Sequence, residues 1–325
     1  MLFSQAKELS LPFKPDMEVM DGGNGEFLLA NSFGKFLLFN SELEVLNELN
    51  LAQRILSIDF SSAYKIIATA NEHALYIYDL SGEVIFHIMA DYQELKIFGD
   101  KLWSVKKLGP QKKQLEIYQI GSWDLLAKTE FADPFGESRI SFAPLATERT
   151  DALLMQFWEG TNNHRLISWE LIGKKIRTRH PSHELHFPEA YSPSRKKFLS
   201  TKGQFLNIYH ADSHQRIYEY EIPSELGHLL NPFFLSENRI LLPNEDGRFY
   251  IFDLFSKKLI DRLQIKIPQS EGLENFSSSY VSMISRIEHY VFTVYPAAQG
   301  GKTCMLYAFD LRNYEIEGKQ LRLFV

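Results

Sequence analysis

The sequence contains a single cysteine, Cys304, among 325 residues. One thiol cannot form an intrachain disulfide, and such scarcity is typical of proteins that fold in a reducing compartment. No apolar run is long enough to cross a bilayer, and the start, MLFSQAKELS, lacks the basic and apolar regions of a signal peptide. We therefore expect a cytoplasmic protein with no membrane partner.

An excess of basic residues is also absent, since 35 Lys and Arg stand against 41 Asp and Glu, giving a net charge of −6. Binding to nucleic acid needs a basic surface that neutralises phosphates, so no nucleic-acid partner is predicted. The sequence also lacks a Gly-x-Ser-x-Gly elbow, a Walker loop and a dinucleotide fingerprint. We accordingly predict no catalytic residue and no cofactor.

The sequence does contain a repeat, marked by an aromatic residue at the end of an apolar segment. The seven copies are Phe39, Tyr78, Tyr118, Trp169, Tyr209, Phe252 and Phe309. They are separated by 39, 40, 51, 40, 43 and 57 residues, 45 on average, which is the length of a four-stranded propeller blade.

The repeat extends to both sides of this aromatic anchor. A Leu or Phe always stands three residues before it, a polar residue always follows it, and a new apolar segment begins six to eight residues later. Upstream there is room for two more strands, as in ILSIDFSS (55–62) and YKIIATAN (64–71). The pattern predicts an all-β protein, a seven-bladed β-propeller of four-stranded antiparallel blades.

The segment LYIYDLSGEV (75–84) resembles the Trp-Asp signature of WD-repeat propellers, with Tyr78 in place of Trp. Asp follows the anchor only at Asp79, Asp253 and Asp310, and the Gly-His pair of that family is missing from the expected positions. The resemblance implies a propeller in which an N-terminal strand often completes the final blade. Residues 2–11 are therefore expected to be an extra or closing strand, beside an outer strand supplied by residues 314–325.

We expect residues 1–325 to form a single propeller domain. The predicted blades span approximately residues 13–52, 53–91, 92–133, 134–181, 182–224, 225–268 and 269–325. Connections between blades and turns between second and third strands lie on one rim of a propeller, where binding surfaces form. That rule places on one rim residues 108–113, 131–138, 159–164, 179–187, 222–231, 267–279 and 296–302.

These rim loops contain the candidate partner contacts, because apolar rings on an exposed surface are typical protein-contact anchors. The aromatic candidates are Phe135, Trp158 and Phe276, and the polar ones are His180, His183, Glu184 and Glu225. The first hypothesis is thus a non-catalytic scaffold that binds other proteins through one rim.

The alternative hypothesis is a metal-dependent hydrolase or small-ligand binder at the central channel. It depends on HPSHELH (180–186), where imidazole and carboxylate groups could converge on a metal ion. Pro181 disfavours a helix that would align these groups, and a loop with three histidines is usually only polar, so no metal ligand is predicted.

Charged residues near the rim are expected to be solvated. The basic ones are Lys106, Lys107, Lys112, Lys113, Lys174, Lys175, Arg177 and Arg179, expected at hairpin tips and on edge strands. The acidic ones are Asp133, Glu137, Glu184, Glu225, Glu271 and Glu274, expected in polar surface loops.

Overall fold

The computed structural model describes residues 7–17, 19–144, 150–159, 163–179, 187–202, 204–211, 213–227, 229, 232–244, 248–264, 283–287, 290–296 and 304–310. These residues form seven four-stranded antiparallel sheets and one short 3-10 helix, Ser224–Leu226. No helix in this part of the chain is long and apolar enough to span a membrane. The chain divides into two compact units, a first unit of residues 20–187 and a second unit of residues 1–19 and 188–325.

Strands are numbered in chain order from β1 (Lys7–Leu11), which belongs to the second unit. The first unit holds four sheets, each made of four consecutive strands. Their bounds are β2 (Met20–Asp21), β3 (Glu26–Ala30), β4 (Lys35–Asn40), β5 (Val45–Asn50); β6 (Ser57–Ser61), β7 (Ile66–Ala70), β8 (Ala74–Asp79), β9 (Val84–Met89); β10 (Tyr92–Phe98), β11 (Lys101–Lys107), β12 (Lys112–Gln119), β13 (Leu125–Ala132); β14 (Arg139–Pro144), β15 (Ala152–Glu159), β16 (Asn163–Ile172) and β17 (Lys175–Arg179).

The second unit holds three sheets, two of which are again four consecutive strands. The strand bounds are β18 (Ala190–Tyr191), β19 (Lys197–Lys202), β20 (Phe205–His210), β21 (Arg216–Glu221); β22 (Phe233–Ser236), β23 (Arg239–Pro243), β24 (Arg248–Asp253), β25 (Lys258–Gln264); β26 (Met283–Ile287), β27 (Tyr290–Pro296) and β28 (Cys304–Asp310). In the third sheet β1 pairs with β28, so the order is β1-β28-β27-β26.

The N-terminal strand is thus the fourth strand of the last sheet. Lys7 lies opposite Ala308 and Leu11 lies opposite Cys304. This position was open in the sequence, which also offered residues 314–325 as an outer strand. Those residues lie outside the described part, and β1 occupies the edge of β28 that they were expected to take. The single-domain organisation stays a prediction.

All seven aromatic anchors lie on the third strand of a sheet, as predicted from the repeat. In five sheets the register between third and fourth strands also shifts by one residue at the anchor, namely at Phe39, Tyr78, Tyr118, Tyr209 and Phe252. Such a bulge increases the local twist of a sheet. In these five sheets the anchor position therefore marks both a buried ring and the bulge where the fourth strand begins to pair with the third.

Apolar residues occupy both faces of the middle strands because neighbouring sheets cover both faces. One core cluster joins the third and fourth sheets of the first unit through Trp103, Leu115, Phe157 and Trp169, all of which are buried. Fully burying a large side chain stabilises the fold by about 1.5–3 kcal/mol. The hydrophobic anchors therefore account for stability rather than for binding.

Inner strands in the first unit run in the same direction. The Ser57 hydroxyl accepts a hydrogen bond from the Leu95 N–H, and the Asp59 carboxylate accepts one from the Ile97 N–H. Residue numbers rise together in these two contacts, so β6 and β10 run parallel to each other. The Ser62 N–H likewise donates to the Gly22 carbonyl just after β2. As a result, the turns between second and third strands lie on the same edge as the connections between sheets, which we call the rim.

Candidate interaction rim

Three apolar side chains stand exposed on the rim of the first unit. Phe33 is 71% exposed in the turn between β3 and β4, Leu108 is exposed in the turn between β11 and β12, and Trp158 is 38% exposed near the end of β15. Only Trp158 was predicted as a contact. The signal for the other two was an apolar residue where a turn is normally polar.

The turn that presents Phe33 is held by a side chain rather than left loose. The Asn31 carboxamide oxygen accepts hydrogen bonds from the N–H groups of Phe33 and Lys35, each at 3.1 Å. Asn31 is itself buried. The Leu51 N–H then donates to the Gly34 carbonyl at 2.9 Å, which ties this turn to the connection between the first two sheets. Phe33 therefore projects from a fixed backbone.

Phe135, the second predicted aromatic contact within the described residues, lies in the connection between β13 and β14. Its ring is half-buried and packs against the core cluster of the third and fourth sheets. Part of this ring therefore belongs to the core, whereas the sequence analysis considered it only as an apolar ring on an exposed rim. Its role as a partner contact stays a prediction.

The connection that carries Phe135 is anchored by a buried ion pair. Lys113 Nζ lies 2.9 Å from Asp133 Oδ2, and neither side chain has any solvent exposure. The Lys113 ammonium also donates to the Gln93 side chain and, at 3.5 Å, to the Ser138 carbonyl. The prediction that Lys113 and Asp133 are solvated rim charges was wrong.

Asp133 also organises the backbone of its own loop. Its carboxylate accepts hydrogen bonds from the Phe135 and Ser138 N–H groups, each at 3.0 Å, and from the Ser138 hydroxyl. Burial acts to raise the pKa of Asp133, but hydrogen bonds from Ser138 and from the Lys113 ammonium outweigh it and lower the pKa to about 2. The loop is therefore built around a permanent carboxylate at neutral pH.

The other charges around this loop match the solvated interpretation. Lys107 Nζ lies 3.4 Å from Glu137, and Lys112 Nζ lies 2.5 Å from Glu130. The Glu137 side chain is 75% exposed, and both partners of the second pair are exposed. Surface pairs of this kind contribute about 0–1 kcal/mol each. In the next sheet Lys174, Lys175 and Arg177 are exposed as well.

A second polar cluster lies below the rim on the inner strands β6 and β10. The Ser57 hydroxyl donates to Glu94 Oε1 at 2.8 Å, and Lys96 Nζ lies 2.9 Å from Asp59 Oδ1. Burial raises the pKa of Glu94 to about 8, opposed by the Ser57 hydrogen bond and the nearby Lys96 charge. These groups connect two adjacent sheets, so their hydrogen bonds are used in packing.

A third polar cluster lies within the third sheet, on β10 and β12. The Tyr92 and Tyr118 hydroxyls both donate to Glu116 Oε2, at 2.6 and 2.7 Å, and all three residues are buried. Burial and the neighbouring carboxylate raise the pKa of Tyr92, which keeps its proton on the hydroxyl. No sequence pattern indicates this cluster, because its members come from strands that only the fold brings together.

The remaining predicted contacts divide into two groups. Glu225 is exposed in the 3-10 helix of the second unit, beside the buried Leu226. His180, His183, Glu184 and Phe276 lie outside the described residues. Within the residues that the structure does describe, no group of three or more His, Cys, Asp or Glu side chains is placed to hold a metal ion.

Comparisons with known proteins bear on the fold. No protein-family model and no curated protein matches the sequence. Among solved structures, the chain is similar to the β-propeller domain of Cps50 (Swd1) from Myceliophteria thermophila, with a TM-score of 0.59 and 10% sequence identity over 92% of this chain and 99% of that one. Together with the seven four-stranded antiparallel sheets, this similarity establishes that the chain has the β-propeller fold.

Proposed function

We propose that this chain is a non-catalytic scaffold that binds other proteins through its rim. The observation that carries the proposal is the exposure of Phe33, Leu108 and Trp158 on one edge of the first unit, at turns and strand ends. The exposed parts of these apolar side chains contribute no burial to the fold. They gain when a partner covers them, which is how aromatic anchors act in protein interfaces.

The fixed backbone of the rim supports the same function. Asn31 holds the Phe33 turn, and the Lys113–Asp133 pair holds the connection that carries Phe135. A surface that is already ordered loses little conformational entropy on binding. The rim therefore presents its apolar groups in a geometry that a partner can meet without rearrangement.

The other candidate contacts extend this proposal to the remaining rim loops. We also assign as partner contacts His180, His183 and Glu184, which follow β17 in the sequence, together with Glu225 and Phe276. The partners are proteins of the cytoplasm, without nucleic acid or membrane. A small-molecule ligand at the central channel belongs to the alternative hypothesis, and no described cluster favours it over the scaffold.

The test is affinity purification of the tagged protein from its own cells, followed by mass spectrometry. We expect Phe33→Ser combined with Trp158→Ser to remove at least one partner that the wild-type protein retains. Phe255→Ser is the matched control, because Phe255 is 91% exposed in the turn between β24 and β25, away from the rim. If the double variant keeps every partner, the rim assignment fails.

Phe135 needs a separate control because its ring also packs in the core. Phe135→Ser combined with Phe276→Ser tests the two predicted loop contacts, and thermal unfolding must accompany it. Loss of a partner counts as support only at a temperature where the variant is still folded. Retention of every partner by a folded variant removes Phe135 and Phe276 from the contact surface.

A further inference from the structure

The outer strand of the second sheet, β9, has a free edge. Among the described strands β9 pairs with β8 and with no other, and it stands last in the order β6-β7-β8-β9. Alternate backbone N–H and C=O groups of such an edge point away from the sheet, where another strand can pair with them. An outer strand is therefore a binding template unless its side chains prevent pairing.

Charged side chains are the usual means of prevention, and β9 is the one outer strand of the seven sheets without them. Its sequence, VIFHIM, contains no acidic or basic residue other than His87. Each of the other six outer strands carries at least one charge, for example Glu48, Lys128, Lys175, Glu219, Lys258 and Glu8. Strand β9 thus lacks the charged side chains that protect the edges of the other outer strands.

The side chains of β9 add an apolar surface to this edge. Phe86 and Ile88 pack inward against the core cluster of the second and third sheets. Ile85 and Met89 instead point out, 47% and 66% exposed, and His87 between them is exposed as well. His87 stacks on Tyr76 of β8, with ring centroids 5.9 Å apart. An added strand would therefore cover apolar groups as well as complete hydrogen bonds.

We propose that β9 receives an extended segment of a partner protein, which adds a fifth strand to this sheet. The segment has apolar residues at alternate positions and basic residues at its ends. The basic ends are inferred from the charges that flank β9, because the exposed Glu83 precedes the strand and Asp91, half-buried with the Lys107 charge nearby, follows it. Basic ends on the partner strand meet these carboxylates, and main-chain hydrogen bonds provide the remaining affinity.

The same flanking charges disfavour a second copy of this chain as the occupant. Two β9 strands paired antiparallel about His87 would place Glu83 of one copy opposite Asp91 of the other. Like charges directly opposite each other destabilise a strand pair. This surface uses none of the rim residues assigned to the proposed function, so the two proposals stand or fall separately.

The probe is a short synthetic peptide of alternating valine and threonine with two lysines at each end, added to the full-length protein. Binding is followed by fluorescence anisotropy, and the site is located by hydrogen–deuterium exchange. We expect slower exchange in residues 84–89 and in no other outer strand. A peptide with glutamates in place of the lysines is expected to bind with a Kd about tenfold higher.

The matched variants are Ile85→Lys in β9 and Leu46→Lys in β5, because both side chains are 47% exposed on outer strands. Ile85→Lys should weaken peptide binding by about tenfold or more, while Leu46→Lys should leave it unchanged. Both variants should melt at closely similar temperatures. Equal effects of the two substitutions on binding would overturn the proposal.

Three further outcomes also overturn it. The first is no peptide binding, the second is equal binding of the lysine and glutamate peptides, and the third is protection outside residues 84–89. Analytical ultracentrifugation tests whether a second copy of the chain occupies β9 instead. A concentration-dependent dimer that Ile85→Lys abolishes would assign β9 to a second copy of the chain and contradict the hetero-partner proposed above.

Discussion

Lys113 and Asp133 form an ion pair of 2.9 Å from which solvent is completely excluded. Lys113 belongs to β12 and Asp133 to the connection that leaves β13, so the pair fastens that connection to the sheet it has just left. Two buried charges are tolerated here because hydrogen bonds from Ser138, Phe135 and Lys113 satisfy the carboxylate. The pair fixes the start of the loop that carries Phe135.

Removing the ammonium should destabilise the protein strongly. Lys113→Met leaves the Asp133 carboxylate buried without its cation, and the free energy of unfolding should fall by about 3–5 kcal/mol. Lys112→Met is the control, since Lys112 is exposed and its substitution should stay within about 0.5 kcal/mol of wild type. Urea denaturation measures both, and equal values for the two variants would mean that the buried pair has no net role.

Acid should destabilise the same loop. The pKa of Asp133 is about 2 in the folded chain, against an ordinary value of 3.8. A depressed carboxyl pKa contributes stability that is present above the ordinary value and is lost as the pH falls through the folded one. Asp133→Asn should therefore flatten the fall in unfolding free energy between about pH 4 and pH 2. Parallel wild-type and variant curves in chemical denaturation would contradict this assignment.

Glu94 should reduce the stability of the protein at high pH, whereas Asp133 does so at low pH. Burial raises its pKa from 4.5 to about 8, so the folded protein holds a proton that the unfolded chain releases. The contribution of Glu94 to the free energy of unfolding is fully present below about pH 4.5 and is lost as the pH rises through about 8. Glu94→Gln keeps an acceptor for the Ser57 hydroxyl without the charge. The variant should be more stable than wild type above about pH 8, with a shallower pH profile.

Gly34 should tolerate no side chain in the turn that presents Phe33. Its φ is +81°, and an added Cβ would lie 2.6 Å from the Gln53 carbonyl oxygen. Gly34→Ala should lower the unfolding free energy by about 1–2 kcal/mol for the left-handed backbone, and further for the clash.

Gly121→Ala separates these two contributions. Gly121 also has a positive φ, of +98°, but an added Cβ would meet nothing within 4 Å. Gly34→Ala should therefore be the more destabilising of the two in thermal unfolding, and only Gly34→Ala should weaken a partner that requires Phe33. Equal melting temperatures would remove the predicted clash.

The parts of the fold that repeat could be read from the sequence. Tyr78 and its six counterparts fall at one place in each copy, and the structure puts all of them on a third strand. Trp158 could be predicted as exposed because it precedes a hairpin turn. Phe33 could have been found by the same reasoning, since an apolar residue in an Asn-x-x-Gly turn has no place in the core.

The sequence by itself determined the all-β architecture, because the period of the apolar pattern and the turn residues act locally and recur along the chain. Only the tertiary structure decided which charges are buried. Lys113 looks like every other lysine near a turn, and Asp133 like every other loop carboxylate. They become a pair because the hairpin of β11 and β12 and the connection after β13 meet at one edge. Burial and pairing depend on residues distant in the chain, and no local pattern encodes them.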